Sequence, residues 1–148
     1  MDQVMTSVST QKPPFQPQAA AATAADVMQP PLTTVNQHDH VAAAAYLMKH
    51  AGTTSLMVMD AQNGQPAGII TEADIAHAIA DGKDVNDTWV DAVMTTRPAV
   101  TTTTSIRDTA KIMTARHFRH LPVASDTGLL GVVDIIEVCR ALINATQG

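Results

Sequence analysis

The sequence predicts an α/β (α+β) fold: two β-α-β-β-α units packed as a pseudo-two-fold pair. Two observations predict it. The order of apolar segments is strand, helix, strand, strand, helix, and it occurs twice. The two occurrences also align in register: Gly131 lies 63 positions after Gly68, and Met94 lies 66 after Met28. A period this long exceeds that of common solenoids, and two copies cannot form an array. Each unit therefore covers the apolar sheet face of the other.

Each element has a local reason. Met1–Ala22 is rich in Gln, Ser, Thr, Pro and Ala, lacks a helical or strand period, and reads as a disordered tail. The first unit spans 23–84. It opens on the apolar turn Ala25–Met28 before Pro30-Pro31, followed by a strand over Leu32–Val35. Asp39 is the expected N-cap of a helix over His40–His50, closed by Ala51-Gly52. Ser55–Met59 is a strand, Asp60–Gly64 a turn and Ala67–Ile70 a strand. A helix then runs from Thr71 or Glu72 to Ala80 and ends at Asp81-Gly82.

After a linker over 85–89, the second unit spans 90–145 and repeats the plan. Val90–Met94 is the lead-in turn, and Ala99–Thr103 is a β-branched strand. Ser105 and Asp108 resemble a capping box opening a helix over Ile106–Arg116. His120–Ala124 and Leu129–Val133 are strands about the turn Ser125–Gly128, and the last helix covers Asp134–Ile143.

Composition narrows the function. Hydrophobic residues make up 45% and charged residues 16% of the 148, enough for a buried core; aromatics at 3% leave that core to aliphatic residues and methionine. A formal net charge of −5 argues against nucleic acid or an anionic membrane as partner. No apolar run approaches the ~20 residues of a membrane span, and no secretory signal is recognisable. The single cysteine, Cys139, fits a reducing compartment, so the expectation is a soluble, cytoplasmic chain. Its neighbours Ile136, Val138 and Leu142 suggest a buried packing role for it. His38-Asp39-His40 lacks the companions of a metal set, and no nucleophile–base pair or acid pair is placed by spacing. Neither metal ligands nor catalytic residues are assigned.

Chemistry concentrates at Gly68-Ile-Ile-Thr-Glu-Ala-Asp74. A strand runs into a helix whose first N–H groups lack intrahelical partners and favour anions. Thr71 and Asp74, three apart, share a helix face. A hydroxyl there caps the helix or donates to a phosphate, and a carboxylate has acceptors for both hydroxyls of a ribose.

The lead-in turns Val27-Met28 and Val93-Met94-Thr95, the helices bearing Ala42…Met48 and Ala110…Met113, the strand Phe118-Arg119-His120-Leu121-Pro122-Val123 and the two Gly-apolar-apolar-x-x-x-acid junctions resemble a tandem pair of CBS domains (a Bateman module) over about Ala24–Asn144. The resemblance implies a regulatory ligand-sensing module, not an enzyme, with two clefts between the motifs that usually hold adenine nucleotides. It places AMP, ADP or ATP, with or without magnesium, at Gly68, Thr71 and Asp74, faced by Arg119 and His120 with Arg116 nearby. The other cleft departs from the pattern. Asp134 replaces the hydroxyl, Glu137 replaces the Asp, and the facing Thr53–Val58 carries no base, so that site is read as degenerate. The resemblance also implies a homodimer that signals to a partner enzyme or transporter. The alternatives are a ligand-free interaction scaffold and an S-adenosyl sensor.

Overall fold

The computed structural model of the chain describes residues 22–31 and 33–147. All of the expected tail but Ala22, and the expected strand start at Leu32, lie outside the described residues.

The first unit comprises α1 (Ala24–Val27), β1 (Thr34–Asn36), α2 (Val41–Ala51), β2 (Ser55–Met59), β3 (Pro66–Thr71) and α3 (Glu72–Ala80). β1 pairs parallel to β2, and β2 antiparallel to β3, giving a three-stranded sheet in the order β1-β2-β3. The second unit follows a 3₁₀ turn at Val90–Ala92 and holds α4 (Ile106–Arg116), β4 (His120–Ser125), β5 (Gly128–Asp134) and α5 (Ile135–Gln147). β4 and β5 form an antiparallel hairpin. The mixed α+β architecture is the one the duplication implies.

Three local expectations are corrected. Ala99–Thr103 is not a strand: only Val100 bridges, parallel to Val123. The Thr101 N–H donates to Thr104 Oγ1 at 3.0 Å, so hydroxyls of the threonine run satisfy the backbone locally instead of a ladder. Asp39 does not cap α2; His40 holds that position without a side-chain bond, because Asp39 Oδ2 accepts from the Asn36 N–H at 3.3 Å. Cys139 is exposed, since the apolar face of α5 closes around the fully buried Val138 instead.

The lead-in turns are exchanged between the cores. Ala24, Val27 and Met28 pack with Val100, Ile106, Met113, Phe118, Leu121, Val123, Val133 and Val138 of the second unit. Val90, Val93 and Met94 pack with Val35, Ala44, Met48, Leu56, Val58 and Ile70 of the first. Each exchange is stitched by backbone bonds. Gln29 and Val132 exchange N–H···O bonds at 2.8 Å both ways, and Ile69 and Thr95 at 2.9 and 3.0 Å. The two repeated glycines permit this approach. A Cβ on Gly68 would lie 2.5 Å from the Thr95 carbonyl oxygen, and one on Gly131 2.9 Å from that of Gln29.

Candidate functional site

The first junction is built by reciprocal capping. Thr71 Oγ1 accepts from the Asp74 N–H at 3.1 Å, and Asp74 Oδ2 accepts from the Thr71 N–H at 2.9 Å. This capping box satisfies two of the donors that a helix start leaves open, and it fixes both side chains in place. Gly68 sits three residues upstream, beneath the Thr95 carbonyl. The Ile69–Thr95 bridge thus delivers the second unit's lead-in segment, Thr95–Pro98, to the first unit's junction.

That segment carries a residue which sequence reasoning passed over. Arg97 is half-buried, with its guanidinium carbon 3.9 Å from the centroid of the Phe118 ring. Burial lowers its pKa from the ordinary arginine value, against the raising effect of the Asp74 carboxylate. Its Nε is the one buried side-chain nitrogen or oxygen without a hydrogen-bond partner among the described residues. The guanidinium of Arg116 stands 5.5 Å from the same ring. Phe118 is presented to both because His117 ends α4 in the left-handed conformation, at φ 58°. An arginine before a proline in an otherwise neutral segment was the only signal in the sequence. The bridge that brings it to Asp74 was not visible there.

Of the other expected residues, Arg119 is exposed; its carbonyl accepts from the Ile135 N–H at 2.9 Å, and among the described residues it forms no ion pair. His120 lies elsewhere than expected. It stands directly across the β4–β5 ladder from Asp134, and its Nε2 is 3.1 Å from Asp134 Oδ2. Cross-strand register brings those side chains together.

The pair opens onto a cavity of about 270 Å³ at the second junction. Its walls include Pro30, Pro31, Leu56, Met57 and Ile69, with Thr53, Ser55, His120 and Asp134 as polar points. Among the described residues no lysine or arginine lines it. Asp134 Oδ1 also accepts from the Ile136 N–H at 2.8 Å. Glu137 is drawn to Arg140 on its own helix, at 2.7 Å. Both junctions carry a carboxylate, and they differ in the base beside it: arginines near Asp74 at the first, and His120 against Asp134 at the second.

Residues 24–81 and 90–144 each match the family described as the CBS domain. The chain belongs to the CBS-domain family. Its CBS motifs are 35% identical over 100 residues to the meiotically up-regulated gene 70 protein of Schizosaccharomyces pombe, covering 66% of this chain and 14% of that one. They are 31% identical over 106 residues to the mitochondrial CBS domain-containing protein CBSX3 of Arabidopsis thaliana, covering 69% and 52%. The chain thus spans a seventh of the first relative and about half of the second. Among solved structures, that of CBSX2 in complex with AMP superposes with a TM-score of 0.65 at 26% identity, covering 84% of this chain and 98% of that one. Among the described residues no helix is long and apolar enough to cross a membrane.

Proposed function

We propose that this CBS pair is a regulatory module that binds an adenine nucleotide (AMP, ADP or ATP) in the cleft at its first junction. Thr71 and Asp74 are the ribose and phosphate contacts, and Arg97, Arg116, Phe118 and Arg119 form the opposite wall. The observation that carries this reading is the Ile69–Thr95 bridge, which brings the segment bearing Arg97 to a capped helix N-terminus with a hydroxyl and a carboxylate, while the guanidinium carbons of Arg97 and Arg116 stand 3.9 and 5.5 Å from the Phe118 ring centroid. The AMP complex of a structural relative supports an adenosine ligand. Because the lead-in turns are exchanged, a ligand that draws Thr95–Pro98 toward Asp74 shifts one motif against the other. A partner enzyme or transporter reads that shift, with a homodimer as the signalling unit and the cytoplasm as its setting.

A second reading has its own observation. The cavity of about 270 Å³ at the second junction is mainly apolar, carries Asp134 and, among the described residues, has no lysine or arginine in its lining, which suits an uncharged or cationic S-adenosyl ligand better than a phosphate.

The test is a thermal-shift panel of AMP, ADP, ATP, NAD and S-adenosylmethionine, with and without magnesium. A ligand at a hundred times its dissociation constant adds about 2.7 kcal/mol, readily seen as a raised midpoint. A shift with a phosphorylated nucleotide supports the first reading, and one with S-adenosylmethionine alone supports the second. No shift with any ligand leaves the ligand-free scaffold.

A further inference from the structure

Two hairpin turns, one from each unit, touch. The turn between β2 and β3 runs over Asp60–Gln65, and that between β4 and β5 over Ser125–Gly128. Gln65 Nε2 donates to the Ser125 carbonyl at 2.9 Å, with the Asp126 carbonyl at 3.4 Å. The Gly64 carbonyl oxygen lies so close to Gly128 that a Cβ there would stand 2.9 Å from it. A backbone oxygen and a side chain, on consecutive residues of the first turn, thus hold the second.

Immediately upstream is Asn63-Gly64, the one Asn-Gly pair in the sequence. Both residues are exposed. Gly64 has no Cβ, and nothing among the described residues lies within 4 Å of where one would stand, so its nitrogen is open to approach. Asn63 Oδ1 accepts from the Gln65 N–H at 2.8 Å. This Asx turn folds the side chain over the peptide bond that follows it and polarises the amide carbonyl. Cγ of Asn63 is thereby presented to the nitrogen of the next residue, at the spacing of a five-membered ring. One bond opposes closure: the Gly64 N–H donates to the Asp60 carbonyl at 2.9 Å. An exposed turn opens locally far more often than the fold as a whole.

We propose that Asn63-Gly64 is a site of spontaneous deamidation, and that its isoaspartyl product releases the contact between the two turns. The Gly64 nitrogen gives its proton to solvent base and attacks Cγ of Asn63, closing a succinimide. The side-chain nitrogen takes up a proton and leaves as ammonia. Water then adds to one of the two ring carbonyls. Breaking the bond from Cγ to nitrogen gives aspartate on an unchanged backbone. Breaking the bond from the main-chain carbonyl to nitrogen gives isoaspartate, with the chain rerouted through Cβ and Cγ. That inserted methylene shifts Gly64 and Gln65 off Gly128 and Ser125. Either product also places a carboxylate in the turn that already holds Asp60.

The experiment ages the full chain in mildly alkaline buffer, as wild type, Asn63→Ser and Gln65→Ala. Peptide maps that separate aspartyl from isoaspartyl products locate the change. Urea unfolding is then measured on the modified fraction, isolated by its added negative charge. Asn63→Ser cannot close the ring, while its hydroxyl still accepts from the Gln65 N–H. In wild type the Asn63 amide should be lost ahead of those of Asn36, Asn86 and Asn144, which precede Gln37, Asp87 and Ala145. The isoaspartyl fraction should unfold about two- to tenfold more readily, the worth of one hydrogen bond, and aged Asn63→Ser should match its fresh form. Gln65→Ala lacks the contact from the start, so ageing should weaken it less than wild type. An Asn63 amide that survives in the folded chain and is lost only in urea overturns the site. Isoaspartate at 63 without easier unfolding, or with an equal loss in Gln65→Ala, overturns the release of the contact.

Discussion

Replacing Gly68 by alanine places a Cβ 2.5 Å from the Thr95 carbonyl oxygen and 3.1 Å from Met94 Sδ. The methionine sulfur can move aside; the carbonyl cannot without disturbing the Ile69–Thr95 bridge, whose bonds are 2.9 and 3.0 Å long. Overpacking of this kind costs about 1–3 kcal/mol, and each bridge bond lost adds about 0.5–1.5 kcal/mol. Against this, alanine in a strand gains about 0.5–1 kcal/mol over glycine through the lower entropy of the unfolded chain. The expected net effect is destabilisation by about 2–4 kcal/mol. Urea unfolding at equilibrium measures it. Gly52→Ala is the control, since Gly52 sits at φ 67° with nothing within 4 Å of a built Cβ. It should cost only the ~1–2 kcal/mol of left-handed backbone. Gly68→Ala within 0.5 kcal/mol of wild type would refute the close approach of the lead-in segment to β3.

His117 holds the left-handed C-cap of α4 that Gly52 holds in α2, so His117→Gly should raise stability by about 0.5–1 kcal/mol in the same urea assay. Thr71→Ala removes the hydroxyl that accepts from the Asp74 N–H and should cost about 1 kcal/mol, measured by thermal unfolding without ligand. The exposed Arg140–Glu137 pair on α5 should matter little. Arg140→Ala is expected to change stability by about 0.5 kcal/mol or less, and a larger loss would mean that Glu137 supports the fold in another way.

The architecture was legible because the signals for it are local and occur twice. The spans Ser55–Met59 and Ile106–Arg116 follow from apolar runs and a serine cap, and the structure has them at those bounds. The repeated glycines identify the junctions, although the physical reason lies far off in sequence, at Thr95 for Gly68 and at Gln29 for Gly131. What was illegible depends on partners that no local pattern announces. The threonine run at 101–104 has strand propensity but bonds to itself. His120 was assigned to the first cleft from its place beside Arg119, and the β4–β5 register instead sets it against Asp134. Arg97 gave no sign of its burial, since the ring it covers and the carboxylate it senses belong to separate elements.

In the proposed function the Thr71–Asp74 junction, not the Asp134–Glu137 junction, holds the nucleotide. Titration of AMP into wild type, Asp74→Ala and Glu137→Ala, followed by calorimetry, decides between the two junctions. Saturable binding in wild type, lost in Asp74→Ala and kept in Glu137→Ala, is the predicted result. Equal loss in both variants, or no binding to wild type, would contradict it.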